Sequence, residues 1–148
     1  MSKSNTKKNM SLDIHFFKND VDFRKMRKDI DTLQEKLRSI QDTIEQLEDD
    51  YEDAKLSAFN ITHNLNEMAR AVGLYEILWN PEESGITIAS QMILPLEKGI
   101  KELEANPNKY KTYNPPNGWG NYENLVSFCK SVLQKCREYP DAVIEAAG

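Results

Sequence analysis

Between Phe23 and Ala54, apolar residues recur at alternating gaps of three and four: Phe23, Met26, Ile30, Leu33, Leu37, Ile40, Ile44, Leu47, Tyr51 and Ala54. This spacing is an unbroken heptad, with Phe23, Ile30, Leu37, Ile44 and Tyr51 at a and the other five at d. A seam this narrow cannot build a globular core alone and must be buried against another helix. No Gly or Pro precedes Gly73, so nothing in the stretch turns the chain back, and one helix of about 47 Å is predicted. The register carries on through Ala58, Ile61, Leu65, Met68 and Val72. Weak helix formers at Asn60, Thr62, Asn64 and Asn66 nevertheless favour a break near residues 58–60 over one continuous helix.

Outside the heptad the pattern shortens. Leu12, Ile14 and Phe16 alternate with Asp13, His15 and Phe17, which reads as a short strand, with Asn19 placed to cap the long helix. A second helix is predicted over about 62–79, weak at Gly73 and stopped at Asn80-Pro81. A third, over about 87–105, turns Ala89, Met92, Ile93, Leu96, Ile100 and Leu103 inward; Pro95 kinks it or starts a second segment. Residues 109–113 read as a short turn. The fourth helix runs from a cap at Asn121 to about Glu138, with Tyr122, Leu125, Val126, Cys129, Val132, Leu133 and Cys136 as its inner stripe. Residues 142–144 could form a second strand and pair with 12–17. The expected fold is mainly α: a small helical domain with a short two-stranded β clasp and a long protruding coiled-coil helix. Its parts are a disordered polar tail (1–10), a short strand of the C-terminal domain (11–18), the coiled-coil helix (19–57) and the small α-rich domain (58–148).

Composition narrows the partners. A net charge of −5 on 148 residues argues against a general nucleic-acid binder. No apolar run reaches the roughly 18–20 residues of a membrane span, and MSKSNTKKNM lacks the apolar core of a secretory signal. Cys129 and Cys136 lie seven apart on one predicted helix, about 10 Å from each other. That is too far for a disulfide, so both read as reduced core thiols of a cytosolic protein. Along the heptad, residues 24–38 carry six basic and three acidic side chains, whereas 42–55 carry seven acidic and one basic. A parallel pair would gain the flanking contacts Asp22–Arg27 and Asp50–Lys55, whereas an antiparallel pair would lay the basic half on the acidic half. Self-association through the seam is expected ahead of packing on the chain's own domain or on a different protein, with strand orientation open; the plainer reading of the charges is a solvated helix face.

Two stretches are candidates for recognition. Asn60-Ile61-Thr62-His63-Asn64 is dense in hydrogen-bonding groups: His63 could serve as ligand or base and Asn60 and Asn64 could orient a polar molecule. The plainer reading is a capped helix start with a hydrogen-bonded His. In Asn114-Pro115-Pro116-Asn117-Gly118-Trp119-Gly120-Asn121-Tyr122, Trp119 sits on a tight loop, either as a stacking platform or as a plug docked on the core. The recognition candidates are thus Asn60, Thr62, His63, Asn64, Asn117, Trp119 and Tyr122. No phosphate-binding glycine motif and no metal-ligand spacing is present, so no catalytic residue, metal or cofactor is assigned.

These segments carry a resemblance. Asn60 to Leu65 with Met68-Ala69, Gly73-Leu74-Tyr75-Glu76, Leu78-Trp79, Gly85-Ile86-Thr87, Asn117 to Gly120, Tyr122-Glu123, and Cys136 with Tyr139 to Ala142 resemble a family of small phage and prophage proteins of unknown function. So does Leu12-Asp13-Ile14-His15. The similarity spans about two-thirds of the chain and implies a compact, mostly helical domain in the cytoplasm of a bacterial host cell. In such proteins a short connection leads from the strand to the NITHN segment, so the heptad helix here looks like an insertion. The expected role is a non-enzymatic binding protein that oligomerises through the coil and engages a host or phage protein or a small ligand. One alternative is a small-molecule or nucleotide pocket, or an enzyme, using His63. Another is a virion structural or assembly component.

Overall fold

The computed structural model describes residues 11–147 and is mainly helical; the polar tail expected over 1–10 lies outside the described residues. The chain divides into two units, the first ending at Ala54 and the second beginning at Lys55.

In the first unit the heptad forms one helix, α1 (Phe23–Ala54), of 32 residues. Its cap is Asp22 rather than Asn19: the Asp22 carboxylate accepts the Lys25 backbone N–H at 3.0 Å, which satisfies one of the free donors of the first turn. Ahead of it, Phe17 stacks on Phe23 with centroids 4.0 Å apart. Residues 12–17 form no strand, and Leu12, Ile14 and Phe16 are exposed. The helix stops at Ala54, four residues before the expected break. Residues 55–62 are irregular, and within the second unit this freedom lets Phe59 meet Phe128 edge-on at 6.3 Å and Ile61 pack against the core.

The second unit is built from short elements. Thr62 caps a 3-10 turn, His63–Leu65, by accepting the Asn64 N–H at 3.2 Å. It runs into α2 (Asn66–Ala71). The weak point at Gly73 is a full stop: at φ +83° it lets the Leu74 N–H reach the Ala69 carbonyl at 2.8 Å and its own N–H reach Arg70 at 3.1 Å. That is a Schellman ending, with Leu74 buried as its apolar contact. The single helix predicted over 62–79 is therefore three pieces, the last being α3 (Tyr75–Trp79). The third predicted helix is likewise a 3-10 turn, Ala89–Met92, followed by α4 (Ile93–Ala105). Pro95 falls in the first turn of α4, where a missing N–H costs little. The 109–113 turn is instead α5 (Pro107–Lys111), begun by Pro107 at its first position. Asn121 caps α6 (Tyr122–Glu138) through the Asn124 N–H at 2.8 Å, as its sequence implies.

The core lies where α6 packs on α4 and on the turn before it. The stripe Tyr122, Leu125, Cys129, Val132, Leu133 and Cys136 meets Leu96, Ile100 and Leu103, with Leu65, Met68 and Tyr110 filling the sides. The expected β clasp between 12–17 and 142–144 is not found, and no strand occurs among the described residues. Residues 142–144 instead bridge antiparallel to 87–89: Ala89 N–H donates to Ala142 at 2.8 Å and Ile144 N–H to Thr87 at 2.9 Å. This choice half-buries Ala142 and Ile144 against the core and turns Val143 to solvent, the alternation of a strand confined to one bridge.

Candidate functional site

Among the described residues, the first unit carries a long exposed apolar stripe. No residue of α1 is buried, and its inner seam residues from Met26 to Tyr51 are each 50–62% exposed. Phe23 is half-covered, with Phe17 on one side and the Arg24 guanidinium 4.6 Å from its ring. Apolar residues in one continuous stripe of this length are a marker of an interaction surface. The helix ends are electrostatically odd as well. The first turn has no acidic residue and the last turn no basic one, whereas the helix dipole favours acids early and bases late.

In the second unit the two candidate stretches lie against each other at one point. Gly120 sits at φ +97°, and a Cβ there would come within 2.7 Å of the Thr62 methyl and 3.1 Å of Leu65. The glycine therefore lets the loop before α6 close onto the turn that starts at Thr62. The other candidates point to different tasks. His63 accepts a hydrogen bond at Nδ1 from the Trp79 indole N–H at 2.8 Å, so that nitrogen is already engaged. Asn117 accepts the Trp119 backbone N–H at 2.9 Å and shapes the turn. Tyr122, a recognition candidate in the sequence, is core: its ring is buried and its hydroxyl donates to the Leu103 carbonyl at 2.6 Å. Burial pushes its pKa up. Trp119 is not a plug; its side chain is 70% exposed. Asn60, His63 and Asn64 are exposed as well.

One arrangement is absent from the sequence reading. Arg70 lies 3.9 Å over the Tyr75 ring, Tyr75 stacks on Trp79 at 5.3 Å, and Trp79 holds His63. The signal was the i,i+4 spacing of Tyr75 and Trp79, which places both rings on one helix face. This ladder ties the His63 turn to α3, and it accounts for His63 without any ligand.

Burial holds two thiols and two phenols of this unit in their neutral forms. Burial pushes the Cys129 thiol up to about 12 and raises Cys136 too; both are free thiols, and neither offers a thiolate nucleophile near neutral pH. Burial, then a 2.7 Å hydrogen bond to Glu102, pushes Tyr110 up to about 12. The shallow groove along α6 sets Glu104, Glu123, Ser127 and Lys130 beside Tyr122 and Val126, and Lys130 pairs with Glu104 at 2.6 Å. Among the described residues no three His, Cys, Asp or Glu side chains are grouped to hold a metal, and no helix is long and apolar enough to cross a membrane. Comparison with family models, curated proteins and solved structures finds no match.

Proposed function

We propose that this chain is a non-enzymatic interaction protein, phage- or prophage-encoded, that self-associates through α1 and engages a partner through the second unit. The observation that carries the reading is the exposed heptad: ten apolar residues in register on a helix with no buried residue. Closing the remaining half of each side chain against a partner helix contributes roughly 1 kcal/mol per residue. Repeated along the seam, this is ample for a stable coiled coil. The phage origin rests on the resemblance of the NITHN and NGWGNYE segments, and the cytoplasmic setting is supported by two free, buried thiols.

The partner surface is assigned to Trp119, with Asn117 shaping its turn and Asn60 and Asn64 exposed in the other stretch. An indole 70% exposed between two glycines of positive φ is a large contact surface held by a defined loop, as binding hot spots require. The Trp79 N–H on His63 Nδ1 weighs against the enzymatic alternative, because that nitrogen is already engaged.

Light scattering on the full chain, beside a variant carrying Leu37→Glu and Ile40→Glu, tests the assembly. The expected result is an oligomer that becomes a monomer in the variant while the second unit keeps its thermal transition. A monomeric parent at all concentrations defeats the reading.

A further inference from the structure

The orientation of the pair is written in the ends of α1. Resting on the self-association proposed above, we infer that α1 pairs with a second copy of itself in antiparallel orientation, in the register that sets Phe23 level with Ala54. Three features select it, the last two through the same charged blocks.

The first is size. In this register Phe23 meets Ala54, Met26 meets Tyr51, and each inner layer sets one Leu against one Ile. Large faces small at the ends and volumes are even between them, the condition for close packing. A parallel pair would stack Phe on Phe and Tyr on Tyr, yet leave an Ala–Ala layer. The N-terminal end is thicker still, because Phe17 already lies on Phe23 at 4.0 Å; the single small residue of the seam is the one that falls opposite.

The second is charge. Arg24, Lys25, Arg27 and Lys28 stand level along the axis with Asp53, Glu52, Asp50 and Asp49 of the second copy, so a basic block lies alongside an acidic one at each end, although only Arg27, at e, flanks the seam. Parallel pairing would place each block beside its own kind. It would gain the exposed pairs Asp22–Arg27 and Asp50–Lys55, but such pairs contribute little. The antiparallel register brings Asp29 beside the second copy's Asp50 and Arg27 beside its Glu48, exposed flanking contacts, one repulsive and one attractive, that likewise contribute little.

The third is the dipole. Bases at the N-terminal end and acids at the C-terminal end are unfavourable within one helix. Beside an antiparallel neighbour each block lies against the helix end of opposite sign, so the misfit of the single helix is resolved by the pair. A consequence follows for the assembly: the two chains leave their helices at Ala54 on opposite ends of the coil, about 47 Å apart. Such a pair suits a partner that offers two copies of its binding site.

The full chain carrying Lys25→Cys, spin-labelled at the new thiol, tests this by pulsed dipolar spectroscopy beside sedimentation equilibrium. Cys129 and Cys136 are buried and stay unlabelled in the folded protein. The expected result is a mass of two chains with labels about 40 Å apart or more, from a 27-residue axial offset at 1.5 Å per residue. A label distance within about 20 Å, the width of a two-helix coil, means a parallel pair and overturns the inference while leaving the coil intact. A mass other than two chains also overturns it, and a monomer defeats the assembly reading beneath it.

Discussion

Helices α1 and α6 carry the same kind of sequence signal with opposite outcomes. Both have apolar residues at helical spacing. In α6, of 17 residues, six are buried, because α4 and the turn before it lie within the same unit to receive them. In α1, of 32 residues, none is buried. Periodicity therefore identifies a face and says nothing of what covers it. The width of the stripe holds the missing clue. α6 adds Val126 and Leu133 beside its three- and four-residue spacing, a face wide enough for a core, whereas α1 keeps to a strict a/d seam suited to one facing helix.

The sharpest way to break this contrast is to make one change in both places. Leu125→Ala, at a fully buried position, is expected to lower the unfolding free energy of the second unit by about 2–5 kcal/mol, through lost burial and a cavity. Leu37→Ala, on the seam, is expected to leave that same transition within about 0.5 kcal/mol and to weaken self-association instead. Denaturant titration with scattering checks both arms. Next in size, Gly120→Ala meets both a positive φ and the Thr62 methyl. It is expected to cost about 1–3 kcal/mol, read as a drop in melting temperature.

Alkali separates the units without mutation. In the unfolded chain the Cys129 thiol and the Tyr110 phenol ionise from their ordinary values of 9.0 and 10.0, whereas the folded protein holds both protons up to about 12. Between those limits the folded state binds more protons than the unfolded state, so stability falls as pH rises from about 9 to about 12 and is unchanged by these groups below that window. Melting temperature against pH should follow this slope in the second unit.

The smallest effects sharpen the division between packing and recognition. His63→Ala removes the acceptor of the Trp79 bond and is expected to cost about 0.5–1.5 kcal/mol. Trp119→Ala is expected to change stability by less than about 0.5 kcal/mol, since its ring is solvent-exposed. A large loss there would restore the plug.

Much of the fold was legible in local signals. The heptad, the Asn121 cap, the inner stripe of α6 and the stop at Asn80-Pro81 are each fixed by residues a few positions apart. The misreadings involve distance. Nothing in 142–144 states whether 12–17 or 87–89 will pair with it, and α2 and α3 look like one helix until Gly73 is seen in its left-handed turn. The candidate site was legible as two stretches, which Gly120 joins at Thr62. Its inner assignments were not: Tyr122 belongs to a stripe as well as to a loop, and His63 is claimed by a tryptophan sixteen residues away.

The central claim is that α1 is one half of an interface. Sedimentation equilibrium and helical ellipticity of the full chain, measured together across a dilution series, test it most directly. An isolated polar helix has little to hold it in water, so the account predicts a mass of twice the 17.1 kDa chain that falls on dilution together with part of the helical signal. A constant 17.1 kDa mass with an undiminished helical signal would contradict it.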